Sequence, residues 1–345
     1  MIKKDKRDKE IQQAEVLFSS YAIEIMQEEW MERVKFYIRL IGNHSLQGTV
    51  VGSVLDDALN VSGKMIRIRL LLLCSVFGSH WKEKKDRLCI LAAMVELTHL
   101  ASLIHDDIID DAPYRRGGKS LQNKYGKDAA VYAGDFLMAR IYYYEAVEHL
   151  NESAAVLSKA VQSMCEGEIG QDLCRYKENI TVDEYFWNIR RKTASLFKAA
   201  CHIGAAESGC SDEFVKKLET FGENLGMMFQ LRDDLLDFIS DKTETGKETH
   251  KDFRYGIYTY PVLAALKTER GKNLILPIML ENKQRMINNR HLAEMEEYVI
   301  QCGGIEATYK EIKRFAQKNK EILRGLNMDD ETTRLIQELM KQLEV

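Results

Sequence analysis

Three prolines in 345 residues leave this chain few places where a helix is forced to stop. Ordinary usage of ~5% would give about 17. Pro113, Pro261 and Pro277 are far apart, so long stretches keep every backbone donor and carry no fixed φ. Those stretches have helical periodicity. Over 16–41 the apolar residues Val16, Leu17, Tyr21, Ile25, Trp30, Val34, Ile38 and Ile41 recur at helical spacing among charges, the pattern of an amphipathic helix. A short helix over 54–59 follows a glycine-containing polar break. The run 70–77 is apolar except for Ser75, and a helix apolar on every side is buried. Further helices are predicted from about residue 83 into the acidic stretch near 106, and over 127–150, 154–176, 182–208, 212–239, 257–270, 292–302, 305–326 and 329–343, with a loop at 120–126. Strand-like alternation is missing almost everywhere, as are fixed-period repeats and Gly/Ser linkers. The pattern predicts one all-α domain across 1–345.

Within that helical frame the stretch 99–118, HLASLIHDDIIDDAPYRRGG, sets Asp106, Asp107, Asp110 and Asp111 within six positions and follows them with Arg115 and Arg116. Residues four apart share a helix face, so Asp106 and Asp110 repel unless a cation lies between them. The spacing recurs at Asp233, Asp234 and Asp237, again at the end of an apolar run, GMMFQLRDDLLDF. Two DDxxD clusters behind buried helices imply a shared ion site, because buried unpaired carboxylates are costly. Such hard oxygen ligands suit Mg2+, which takes one or two carboxylates and completes its octahedron with water and phosphate oxygens. Arg115 and Arg116 match phosphate geometry. Lys64 and Arg67, three apart at a helix start, can both reach one anion or lie on a solvated surface. His99 is open between a ligand and a satisfied buried histidine. Lys192 and Thr193 read from their own pattern as a helix surface. The polar, lysine-rich stretch 240–256 is longer than most connections in compact domains, which marks it as functional or disordered.

An apolar fraction of 45% supports a sizeable core, and a net charge of −4 with mixed signs offers no basic face for nucleic acid. Seven scattered cysteines without a CxxC pair read as reduced core residues, and the N-terminus lacks a signal-peptide pattern. Uninterrupted apolar runs fall short of the ~20 residues of a membrane span. A cytoplasmic protein without a transmembrane segment is expected.

The series GKMIR, ELTHLASLIHDDIIDDAPYRRG, AVYAGDFLMAR, GEIGQD, RKTASLF, GMMFQLRDDLLDF, TGKETHKD and GIYTYPVLAAL, in that order over about 63–266, resembles the trans-isoprenyl diphosphate synthases, the polyprenyl synthetase family. The resemblance implies an antiparallel helical bundle of isoprenoid synthase type around a deep central cavity, its two aspartate motifs facing each other across the mouth. It frames that core with N-terminal helices over 1–60 and C-terminal helices over 272–345. It implies further that Asp106, Asp107, Asp110, Asp233 and Asp237 hold Mg2+, three ions with substrate bound, and that Asp106, Asp110, Asp233 and Lys192 carry catalysis. Arg115, Lys192, Thr193, Gln230 and Lys247 match the positions around an allylic diphosphate. Lys64, Arg67, His99 and Arg116 match those for isopentenyl diphosphate. The stretch 240–256 would be a lid.

Two positions depart from the family pattern. Met65 stands where GGKRxR has a basic residue, and Ile257 where many members have lysine. In GIYTYP the chain is closer to catalytic subunits of two-component hexaprenyl and heptaprenyl diphosphate synthases, so a small partner subunit is conceivable beside the homodimer usual for the family. Ala101 and Ser102 are small where short-chain members carry aromatic stoppers. The same face descends through Leu97 and Met94, with Tyr142 to Tyr144 as an expected floor. A product of C20 or longer is expected, with C25 to C35 as the favoured range. The rivals are a class I terpene cyclase, disfavoured by the second DDxxD, and a non-catalytic or partner-dependent regulatory subunit, supported by Met65 and Ile257.

Overall fold

The computed structural model describes residues 28–60, 63, 65–115, 118–239, 251–284 and 287–326. The segments 16–27 and 329–343 and most of 240–256 lie outside the described residues, as do Lys64, Arg116 and Lys247. In chain order the helices are α1 (Glu28–Gly42), α2 (Val50–Leu59), α3 (Ile66–Ser75), α4 (Lys85–Ile109), α5 (Leu121–Tyr125), α6 (Lys127–Val147), α7 (Asn151–Leu173), α8 (Val182–Ile189), α9 (Ser195–Glu207), α10 (Asp212–Ile239), α11 (Lys251–Arg254), α12 (Tyr260–Ala265), α13 (Glu269–Gln284), α14 (Asn289–Gln301) and α15 (Gly304–Arg324). A π-helical turn, Arg190–Ala194, joins α8 to α9. Among the described residues the sheet is one antiparallel pair of two-residue strands, β1 (Tyr114–Arg115) and β2 (Gly118–Lys119). The fold is all-α.

The described residues divide into two compact units. The first holds residues up to Val161 together with Leu196–Gly222; the second holds Gln162–Ser195 and Glu223–Leu326.

The first unit is built on α4, which packs against α6, α1 and α3. Leu88, Ala92, Ala93, Val95 and Leu97 are fully buried along it. By length and composition α4 could cross a membrane, but most of it is buried within the protein, as suits a core helix. The close approach of α9 to α3 depends on Gly204, where a Cβ would stand 2.0 Å from the Leu71 carbonyl oxygen. Glu207 closes the far end of α9. It accepts Arg87 Nε at 2.7 Å and the Ser153 hydroxyl at 2.6 Å.

In the second unit α12 packs on α15, and Gly304 lets α15 start against the Pro261 carbonyl, 2.2 Å from a would-be Cβ. Buried Asn224 of α10 donates to Asn319 of α15 at 2.9 Å. The start of α8 is a capping box: Thr181 Oγ1 accepts from Glu184 N, and Glu184 returns the contact to Thr181 N at 2.8 Å.

Three local differences from the sequence pattern have physical causes. The expected loop at 120–126 contains α5, because Ser120 caps it by accepting from Asn123 N. The expected helix over 182–208 is interrupted by the π turn. The expected helix over 257–270 starts only at Tyr260, with Pro261 in its first turn, where a missing amide proton costs nothing.

Candidate active site

In the first unit, Asp106 and Asp107 end α4 and Asp110 is its C-cap, with Asp110 N donating to Asp106 O at 2.9 Å. The helical register therefore holds to the end of the motif and keeps Asp106 and Asp110 on one face. Asp106 is half-buried and Asp110 exposed. Asp107, expected among the metal ligands, is 3% exposed and accepts Arg115 Nε at 2.6 Å. The burial has a simple origin: one turn carries two adjacent carboxylates about 100° apart, and the inner one takes a cation from the protein. Asp111 follows in the left-handed region (φ 47°), which aspartate tolerates, and this turns the chain into the β1–β2 hairpin that delivers Arg115. The Ser120 hydroxyl and the Gln122 amide, at 2.7 Å for the latter, donate to the Ala112 carbonyl and fasten the return. Arg115 is 37% exposed, with its Nε spent on Asp107. His105 lies over Gly134 of α6, where a Cβ would stand 2.2 Å from its Nε2, and pairs with Asp135 at 3.4 Å. This is the physical content of the AVYAGDFLMAR run.

Arg67 in α3 is 9% exposed, its guanidinium 4.6 Å above the Phe197 ring. Burial lowers its pKa to about 10 against the supporting charge of Glu96, so it stays a cation at neutral pH. Met65, the residue in place of a family cation, caps α3 with φ 50°, a strained conformation for a side chain of its size. His99 is half-buried on α4. Met94, Leu97 and Ala101 are buried along one stripe of α4, and Ser102 beside them turns its hydroxyl onto the His99 carbonyl at 2.8 Å. Tyr142 and Tyr143 are not a floor: they are 52% and 56% exposed, because α6 turns Ala133, Leu137 and Ile141 inward instead. Tyr144 stacks under Arg140 and reaches the Leu40 carbonyl.

The second unit repeats the arrangement on α10. Asp233 is exposed and Asp237 half-buried, whereas Asp234 is 4% exposed and accepts two donors, Tyr185 Oη at 2.5 Å and Gln230 Nε2 at 2.8 Å. Burial pushes the Asp234 carboxyl up to about 7, against the two hydrogen bonds that favour its charge. Gln230 accepts in turn from Thr193 Oγ1 at 2.7 Å. Thr193 is buried and sits on the π turn, not on a regular helix surface; Lys192 beside it pairs with Glu168 of α7 at 2.8 Å. Gly167 and Gly170 of GEIGQD allow this, since a Cβ at either would lie 2.3 Å from Lys192 N or 2.4 Å from Asn188 Oδ1. Tyr185 and Glu168 were not among the expected residues. Tyr185 was legible, in hindsight, as the first of the stripe Tyr185, Ile189, Thr193.

Both motifs thus sink their second aspartate and present the first and last. Among the described residues no three His, Cys, Asp or Glu side chains form a ready cage. An all-oxygen donor set of paired, partly exposed carboxylates fits a hydrated Mg2+ that shares its ligands with a phosphate-bearing substrate.

Residues 49–296 match the family model of polyprenyl synthetases. Component 2 of heptaprenyl diphosphate synthase from Geobacillus stearothermophilus is 36% identical over 282 residues, covering 81% of this chain and 85% of its own. The chain belongs to the polyprenyl synthetase family. A polyprenyl synthase from Caulobacter crescentus, solved with calcium and isoprenyl diphosphate, matches with TM-score 0.82 at 26% identity, over 94% of this chain and 96% of that one. Heptaprenyl diphosphate synthase from Staphylococcus aureus matches with TM-score 0.80 at 26% identity, over 92% and 97%. As a polyprenyl synthetase the chain is a prenyltransferase that elongates isoprenyl diphosphates. The family motifs read from its sequence acquire packing reasons here: Gly134 for His105, Gly167 and Gly170 for the π turn, and Gly226 for the approach of α10 to Ala194.

Proposed function

We propose that the chain is an all-trans polyprenyl diphosphate synthase, a single polyprenyl synthetase domain acting in the cytoplasm, which condenses isopentenyl diphosphate head to tail with an allylic diphosphate in the presence of Mg2+. The observation that carries this reading is the matched state of the two DDxxD motifs, each with its second carboxylate braced internally and its outer pair presented. Asp106, Asp110, Asp233 and Asp237 would hold the ions. Bound Mg2+ supplies Lewis-acid neutralisation of the departing diphosphate.

The chain's own groups do the rest. Arg115, Lys192, Thr193, Gln230 and Lys247 bind and orient the allylic diphosphate. Lys64, Arg67, His99 and Arg116 hold isopentenyl diphosphate, Arg67 as a cation whose desolvation strengthens its pull on an anion. No side-chain nucleophile is required, because the allylic carbon is attacked by the isopentenyl double bond and the proton leaves to the released diphosphate.

The growing chain runs along Ala101, Ser102, Leu97 and Met94. These residues put no ring in its way, and the Ser102 hydroxyl is already satisfied within its own helix, which supports a product beyond C15. The heptaprenyl relatives favour the C35 end of a C25 to C35 range. We assign a homodimer as the basic assembly. The second reading is a subunit that needs a small partner; Met65, Ile257 and the component name of the Geobacillus relative favour it.

The test is incubation of the purified chain with Mg2+, isopentenyl diphosphate and, separately, dimethylallyl, geranyl and farnesyl diphosphates, with products sized by mass spectrometry. A ladder ending at one length beyond C15, abolished by EDTA and by Asp106→Ala, is expected. A folded chain that extends none of the primers would overturn the self-sufficient synthase and leave the partner-dependent reading.

A further inference from the structure

Asp234 is built into the protein more deeply than a ligand needs to be. A carboxylate at 4% exposure loses most of its hydration, and it keeps its place because two donors are fixed against it. One is Gln230, a turn earlier on the same helix. The other is the Tyr185 phenol, brought from α8. Tyr185 is itself 5% exposed and wedged among aromatic rings, its centroid 5.4 Å from Phe186 and 5.9 Å from Tyr260, so the phenol cannot swing away. Burial and the facing Asp234 charge drive its pKa well above the usual phenol range, so it remains a donor.

The direction of the hydrogen bonds matters. Because Asp234 accepts from the Gln230 amide nitrogen, the Gln230 carbonyl must face Thr193, and Thr193 donates to it at 2.7 Å. The relay Tyr185, Asp234, Gln230, Thr193 runs from the aromatic wall of α8, through the braced aspartate, to the π turn that carries Lys192. All four residues are in the second unit, and three of them are neither metal-facing nor charged.

We propose that Tyr185 is a positioning residue for the allylic diphosphate. By locking Asp234 it fixes the Gln230 amide and the Thr193 hydroxyl, and so sets the π turn in the register that presents Lys192. This rests on the assignment of Lys192, Thr193 and Gln230 to that diphosphate. Loss of the phenol oxygen leaves the ring in place but takes one donor from a buried carboxylate, which then competes for the Gln230 amide. The fold loses some stability but keeps its architecture, and of the two substrates the effect falls on the allylic diphosphate.

The experiment uses the full chain and its Tyr185→Phe variant, with and without Asp234→Asn. Binding of a non-reactive allylic thiolodiphosphate with Mg2+ is followed by calorimetry, and KM is measured for each substrate. Tyr185→Phe is expected to raise the Kd of the analogue and the allylic KM about tenfold, with the KM for isopentenyl diphosphate changed less than twofold and a single cooperative urea transition kept at a lowered midpoint. In the Asp234→Asn background the same substitution is expected to change the Kd less than twofold, since its route is already cut. Should Tyr185→Phe fail to fold, Asp234→Asn alone is expected to give the same selective allylic loss. Unchanged analogue binding in both single variants, equal effects on both substrates, or full additivity in the double variant would each overturn the proposal while leaving the synthase reading intact. A parent chain that does not bind the analogue at all would overturn both.

Discussion

Gly226→Ala tests the packing that puts the π turn on α10. Alanine is the better helix former by about 1 kcal/mol, so on an isolated helix the change would stabilise. Here the new Cβ would lie 2.4 Å from Ala194 Cα and 2.7 Å from its Cβ. Carbon atoms pack at about 3.5–4.0 Å, so the two backbones must part by about 1 Å. Neither neighbour is the end of a flexible side chain, and the strain cannot be relieved by a rotamer change. Overpacking of this kind costs about 1–3 kcal/mol. An opening of that size also carries the Thr193–Gln230 contact, now 2.7 Å, past hydrogen-bond range and forfeits about 1 kcal/mol more. Set against the gain in helix propensity, a net loss of about 1–3 kcal/mol follows, together with a raised KM for the allylic substrate as Lys192 and Thr193 shift. Urea unfolding and steady-state kinetics read the two effects. The control is Gly118→Ala, where the nearest atom to a new Cβ is 3.9 Å away and no loss is expected. A Gly226→Ala protein as stable and as tight for the allylic substrate as its parent would refute the claim that this glycine sets the π turn.

Two further outcomes are expected. Ala101→Phe, at a position 1% exposed on the inner stripe of α4, should shorten the product by at least one C5 unit in mass spectra; an unchanged product distribution from folded protein would remove that face from the chain's path. Glu207 gives a pH signature. Desolvation, the largest influence, pushes its carboxyl up, but the hydrogen bonds from Arg87 and Ser153 and the charges of Arg87 and Lys84 together hold it below its usual 4.5. A depressed pKa means that the folded state binds fewer protons, so this contribution is present above about pH 4.5 and is lost as pH falls through the lower folded value. Urea titrations between pH 6 and pH 3.5 should therefore show a shallower acid loss in Glu207→Gln than in the parent; parallel curves would count against the Arg87–Glu207 pair as its source.

The sequence by itself determined the fold class and the family. Sparse prolines and unbroken 3.6-residue periodicity leave no room for a sheet larger than the hairpin at 114–119, and the i, i+4 spacing puts Asp106 with Asp110 on any helix that includes both. The order of motifs was enough to recognise the family. What spacing could not say is which side of each helix the protein covers. Asp106 and Asp107 are chemically identical and adjacent; Arg115, eight residues on, buries one of them. Asp233 and Asp234 differ in the same way because Tyr185, 49 residues earlier, reaches the second. Tyr142 and Tyr143, an expected floor, face outward because α6 turns its small and aliphatic residues toward α4. The same is true of the π turn: RRKTA has no local reason to leave the regular helix, and it does so where Gly167 and Gly226 let α7 and α10 close on it. A helix fixes the angles between its own side chains. Burial of Asp107 and Asp234, and with it the side chains that brace them, is decided by how the rest of the chain packs against each helix.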